Sequence, residues 1–197
     1  MTISRQRFDS GMTYEQWLDA MTQNKERFLA NYQAATLGPA DVAAFKSLPQ
    51  PLNVLVLAED WCGDVIANLP ILARLAHAVD GKLNLRIFKR DENLDIMDQH
   101  LYQGKFRSIP AVIFFDQEMN ELGCWWERPQ IARNEMDEAR RRFAAEHADL
   151  PDANKPVPDM SEATRQLYMA TFARLRTENA ARWTQAVVDE WRQVIGL

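Results

Sequence analysis

Residues 53–58 read Asn-Val-Leu-Val-Leu-Ala, an unbroken apolar run set between Pro49 and Pro51 on one side and Glu59 and Asp60 on the other. A strand with one face in water alternates apolar and polar residues, whereas a strand covered on both faces does not. The run therefore predicts a central strand with other elements packed above and below it. From Cys62 to about Val79 the apolar positions fall at helical spacing (Ile66, Leu69, Leu72, Leu75, Ala76, Val79), and Asp80-Gly81 closes the pattern. Residues 83–88 then read as a second strand, parallel to the first through that helical crossover.

The remaining segments extend this pattern. Residues 94–102 suit a short helix, 111–115 a third strand and 122–126 a fourth, with 116–121 as a hairpin loop. Residues 130–147 form a further helical pattern. Upstream, Thr13-Tyr-Glu-Gln16 has capping-box spacing and opens a helix with Tyr14, Trp17, Leu18, Met21, Phe28 and Tyr32 on one side, stopped by Gly38-Pro39. Residues 40–48 suit one more helix. The expected class is α/β with a small mixed sheet and flanking helices, N-terminal helices before it and a long C-terminal helix after it. The organisation reads as a helical extension over 1–50, the α/β domain over 51–149, and a proline-rich linker with a helix over 150–197. The helix carries an aromatic stripe, Tyr168, Phe172, Trp183 and Trp191, which must be covered. Packing on the N-terminal helices is the favoured cover, and a homodimer seam is the alternative.

Composition narrows the function. With 47% hydrophobic residues the chain is not disordered, and two cysteines cannot staple 197 residues, so a core must hold it. Net charge is 23 − 28 = −5, and the one dense basic run, Arg140-Arg141-Arg142, is interleaved with acids, which speaks against nucleic acid. No apolar run is long enough to cross a membrane. The first ten residues are polar and lack the apolar stretch of a secretory signal, so a cytoplasmic, reducing location is expected. His77, His100 and His147 have no metal-ligand spacing, and there is no Gly-rich phosphate loop. Neither metal nor cofactor is expected.

The informative segment is Trp61-Cys62-Gly63-Asp64, where the buried strand ends and the helix begins. Unpaired N–H groups and the helix dipole stabilise a thiolate at such a position, and the thiolate is the nucleophile. Gly63 permits a tight turn and leaves the sulfur uncovered, while Trp61 shields one side. Glu59, Asp60 and Asp64 work against the thiolate, so modest activation is expected, with Arg107 placed to neutralise Asp64. The acidic rim favours basic protein partners.

These residues, Leu55-Val-Leu-Ala-Glu-Asp-Trp-Cys-Gly-Asp64, resemble the active-site segment of the thioredoxin superfamily. Pro70 matches the family's helix proline, the segment 89–97 resembles the stretch after its next strand, and Ser108-Ile109-Pro110 resembles the loop that carries its cis-proline. The nearest subgroup is the bacterial thioredoxin-like proteins with a Cys-Gly-Asp-Cys motif. The resemblance implies a thioredoxin-like fold, Cys62 as catalytic nucleophile, and Trp61, Gly63, Asp64, Ile109 and Pro110 as the substrate-binding surface, with peptides pairing at the main chain of Ile109. Two positions depart from the pattern. Val65 stands where the resolving cysteine belongs, and Val56 where the family keeps a buried acid. Without a resolving thiol, exchange stops at the mixed disulfide unless an external thiol releases it. Cys124, on the edge strand, reads as a buried structural residue, because a disulfide needs Cα atoms within about 7 Å. The expected function is a single-cysteine thioredoxin-like protein that forms mixed disulfides with protein or peptide thiols, a low-molecular-weight thiol being a further partner. The alternatives are a peptide-binding, chaperone-like module without exchange and a structural partner protein.

Overall fold

The computed structural model describes residues 3–197; the first two residues of the polar N-terminal stretch lie outside them. Four helices come first: α1 (Arg5–Asp9), α2 (Tyr14–Ala20), α3 (Lys25–Ala34) and α4 (Pro39–Lys46). Then follow β1 (Leu52–Ala58), α5 (Gly63–Ala78), β2 (Leu83–Lys89), α6 (Leu94–Met97), β3 (Ala111–Phe115), β4 (Glu121–Trp126), α7 (Gln130–Glu146) and α8 (Glu162–Val194). The strands form one sheet in the order β2-β1-β3-β4. β1 runs parallel to β2 and antiparallel to β3, and β3 pairs antiparallel with β4. Every residue of β1 is buried, as its unbroken apolar run predicts. The class is mixed α/β, with a four-stranded sheet, flanking helices and a long C-terminal helix.

Two segments differ from the sequence expectation. The capping box at Thr13 and Gln16 is formed, but the helix it opens ends at Ala20. A turn through Asn24, whose φ is 60°, separates it from α3. Asp60 holds that turn, accepting hydrogen bonds from the Thr22 N–H at 2.8 Å and the Thr22 hydroxyl at 3.0 Å. Tertiary bonding here overrides a continuous helical pattern. The helix expected over 94–102 is confined to α6, because the chain then folds into a small bridged loop, Tyr102 opposite Phe106, with Gln103 and Gly104 at positive φ.

The chain divides into two compact units, one comprising the residues through Arg128 together with Val187–Leu197, the other Pro129–Ala186. The aromatic stripe of α8 is shared between them. In the first unit Trp191 is fully buried and meets Trp125 edge-to-face at 5.7 Å, while Arg192 reaches Asp41 of α4 at 3.2 Å. In the second, Tyr168 lies edge-on to Phe143 of α7 and stacked on Phe172, and Trp183 donates to Glu135 at 2.8 Å. The expected cover by the N-terminal helices is only part of what is seen: Tyr168 packs on α7 and Trp191 on β4, while Val187, Val188 and Trp191 share one apolar cluster with Phe45 of α4. The proline-rich segment 150–158 belongs to the second unit, with Ala153 buried in its core.

The outer edge of β2 is capped by the N-terminal segment. The Met12 N–H donates to the Ile87 carbonyl at 2.9 Å and the Ile87 N–H to the Met12 carbonyl at 2.8 Å. That approach requires Gly11, since a Cβ there would lie 2.4 Å from Cε2 of the buried Phe88 and 2.9 Å from the Arg86 Cβ. Gly11→Ala is expected to lower stability by about 1–3 kcal/mol through overpacking, read as a lower urea midpoint with an unchanged slope.

Candidate functional site

The site is built where β1 hands over to α5. Cys62 is the N-cap residue of α5, with extended backbone angles. Its N–H donates to the Glu59 carbonyl at 3.2 Å and its carbonyl accepts from the Ile66 N–H at 3.0 Å, so the turn is fixed on both sides of the sulfur. The thiol faces the carbonyl oxygen of Ile109, 3.5 Å away. Ile109 precedes Pro110 through a cis peptide bond, and both residues are buried immediately before β3. The sequence motifs around residues 62 and 109 thus meet across the ends of two neighbouring antiparallel strands.

The other motif residues have distinct surroundings. Trp61 is 49% exposed, with the Arg90 guanidinium 5.2 Å above its ring. Gly63 is exposed. Asp64 is buried and ion-paired with Arg128, which follows β4. The expected pairing with Arg107 is corrected: Arg107 forms a two-pronged bond to Asp98 at 2.7 and 2.8 Å. Asn68, one turn along α5, donates to the Asp64 carbonyl at 3.0 Å and the Glu127 carbonyl at 2.8 Å, tying the helix start to the backbone beside Arg128. Nothing in the spacing of the sequence points to Arg128 or Asn68. The arginine lies 64 residues from its partner and becomes relevant only when β4 returns beside α5.

The electrostatics reverse one expectation. The Cys62 thiol is raised above its ordinary value, first by burial and then by the Asp64 carboxylate; the N–H groups of Val65 and Asp64 and the Arg128 charge pull the other way without prevailing. The helix N-terminus contributes what the sequence suggests, but desolvation is the larger effect. Of the three neighbouring acids Asp64 is the one that raises the thiol most. Asp60 is engaged with the α2–α3 turn: burial works against its charge, but the bonds from Thr22 and Gln23 hold its carboxyl below the usual range. Glu59 is pushed up, mainly by burial, although it accepts the Asp91 N–H at 2.9 Å.

Val65 and Val56 are both fully buried in the core. Cys124 lies on β4 opposite Ile113, and its thiol is raised well above the ordinary value by burial and then by Glu121. Both cysteines are free. Among the described residues no group of three or more His, Cys, Asp or Glu is placed to hold a metal ion. None of the described helices is long and apolar enough to cross a membrane.

A parallel β-α-β unit, two following antiparallel strands, and a cis-proline loop at the N-terminus of the crossover helix make up a thioredoxin-type fold. A family model described as Thioredoxin matches residues 11–140, and the chain belongs to the thioredoxin family. A crystal structure of a protein of unknown function from Pseudomonas aeruginosa is similar, with a TM-score of 0.60 and 20% identity, over 85% of this chain and 95% of that one. An HIV epitope-scaffold matches with a TM-score of 0.58 and 20% identity, over 93% of this chain and 95% of that one. Both likenesses concern the fold. No curated protein matches the sequence.

Because its pKa is raised, Cys62 is mostly thiol at neutral pH. Its alkylation by iodoacetamide should climb steadily with pH and show no plateau below about 8.5, the ordinary thiol value. Asp64→Asn removes the opposing anion and frees Arg128, so alkylation at pH 8 should speed up, whereas Arg128→Met should slow it. Peptide mapping distinguishes Cys62 from the slower Cys124. A plateau near pH 7 would contradict the assignment.

Proposed function

We propose that the protein is a single-cysteine thiol–disulfide exchange protein acting on protein or peptide disulfides. The observation that carries this reading is the placement of the Cys62 sulfur at the start of α5, 3.5 Å from the carbonyl of Ile109. An extended peptide pairing with the main chain of Ile109 brings its disulfide to that sulfur. The Cys62 thiolate attacks one sulfur of the substrate disulfide; an S–S bond forms between them, the substrate S–S bond breaks, and the second sulfur leaves as a thiolate. Gly63 leaves the approach open, Trp61 flanks it, and Asp64 with Arg128 sets the thiol's acidity. No cysteine stands at position 65, so release falls to an external low-molecular-weight thiol, which attacks the mixed disulfide and regenerates Cys62. The raised thiol pKa makes the attacking form scarce at neutral pH and favours slow, long-lived adducts over rapid turnover.

The same raised pKa also supports a second reading, a peptide-binding protein of the thioredoxin fold in which exchange has been lost. Insulin reduction separates the two. The exchange protein should form a one-to-one adduct through Cys62, released by added thiol, and Val65→Cys should turn over with a dithiol reductant. If neither the native chain nor Val65→Cys forms an adduct, the binding reading stands.

A further inference from the structure

Pro70 lies inside α5, and proline has no backbone N–H. In a regular helix that N–H would donate to the carbonyl of Ile66, four residues back, and the proline ring also crowds that carbonyl. Ile66 is 2% exposed, and a buried carbonyl without a donor is costly. The replacement comes from outside the helix. The side-chain amide of Asn31, on α3, donates to the Ile66 carbonyl at 2.7 Å.

Asn31 is held in register for that bond. The hydroxyl of the next residue, Tyr32, hydrogen-bonds Nδ1 of His77 on α5 at 2.7 Å. The Arg74 guanidinium, also of α5, lies 5.3 Å over the Tyr32 ring, which stacks on Tyr14 of α2 with centroids 5.7 Å apart. On the preceding turn of α3, Phe28 is fully buried in the core. The helix is thus anchored both before and after Asn31.

A short chain of peptide groups connects the Ile66 carbonyl with the thiol. The peptide unit that carries this carbonyl also carries the Ala67 N–H, which the helical pattern directs to the Gly63 carbonyl. The Gly63 carbonyl shares its peptide unit with the Asp64 N–H, one of the two amides that favour the Cys62 thiolate. A donor at the far end of such a chain polarises each member of it. A second tie, from the Ile66 N–H to the Cys62 carbonyl at 3.0 Å, fixes the residue that carries the sulfur. We propose that Asn31 is a positioning residue for Cys62, supplying the hydrogen bond that Pro70 withholds and so holding the turn of α5 whose amides face the sulfur. The inference rests on the exchange reading only for what the thiol then does, and deepens it by giving the N-terminal helices a part in setting the reactivity of that thiol.

The test follows alkylation of Cys62 by iodoacetamide against pH in the full chain, resolved by peptide mapping, with the urea midpoint measured beside it. Asn31→Leu keeps the bulk of the side chain and removes the donor. Its profile should move to higher pH, with alkylation at pH 8 slowed about threefold. Pro70→Ala restores the N–H that the Ile66 carbonyl lacks, so in that background Asn31→Leu should leave both profile and midpoint nearly unchanged. The paired variant also decides the matter should Asn31→Leu alone fail to fold. If Asn31→Leu combined with Pro70→Ala does not fold where Pro70→Ala does, or alkylates more slowly than Pro70→Ala, the proposal is overturned. A folded Asn31→Leu chain with a lowered midpoint and an unmoved profile also overturns it, since the bond would then serve stability alone. Adduct formation between the native chain and insulin tests the exchange reading separately. A shifted profile without any adduct keeps the role of Asn31 and removes that reading; adducts with an unmoved profile do the reverse.

Discussion

A strand with no face in water is the constraint from which the rest of this structure follows. All of β1 is buried, so both of its edges need strands and both of its faces need cover. β2 and β3 satisfy the edges, and α5 starts within a few residues of the strand's end because the chain must turn back over the sheet. Whatever residue occupies that turn sits at the N-terminus of a helix, beside the loop that leads into β3. Here the residue is Cys62. Its position is a consequence of sheet topology as much as of local sequence.

The same burial sets the sulfur's chemistry. Helix-terminal N–H groups favour the thiolate, but they act on a half-buried sulfur, beside a carboxylate that Arg128 only partly offsets. The two valines fit that setting. Val56 and Val65 lie wholly within the apolar core, at the two positions where the family resemblance places a buried acid and a second thiol. A buried acid without a partner is destabilising, and once the second thiol is absent the acid has no proton to handle. Both valines belong to the apolar cluster against which Cys62 packs.

Much of this was legible in the sequence. The apolar run of β1, the crossover helix, the strand ahead of the hairpin and the cis-proline loop all carry local signatures, either a hydrophobic period or a short motif. What was not legible depends on groups distant in the chain. The turn that breaks the first long helical pattern is held by Asp60, 38 residues from Thr22, and no periodicity encodes that bond. The balance at Cys62 turned on desolvation, which no residue spacing measures, and on Arg128, which the fold brings to Asp64. The basic neighbour suggested by proximity to the proline loop, Arg107, is instead taken by Asp98. The stripe on α8 was correctly read as needing cover, but its cover is divided between Trp125 and Phe143 because the helix serves two units.

That shared helix has a consequence for how the molecule comes into being. The unit containing the sheet is interrupted in the chain: it breaks off at Arg128 and resumes only at Val187, after the whole of the other unit. Trp191, which packs against Trp125, is made only after the whole of the other unit. During synthesis the sheet must therefore wait with an indole-sized vacancy, while the inserted unit, continuous in sequence, has all its parts at hand first. The order of emergence favours the insert as the first unit to consolidate, and leaves the thiol-bearing unit to close around Trp191 afterwards.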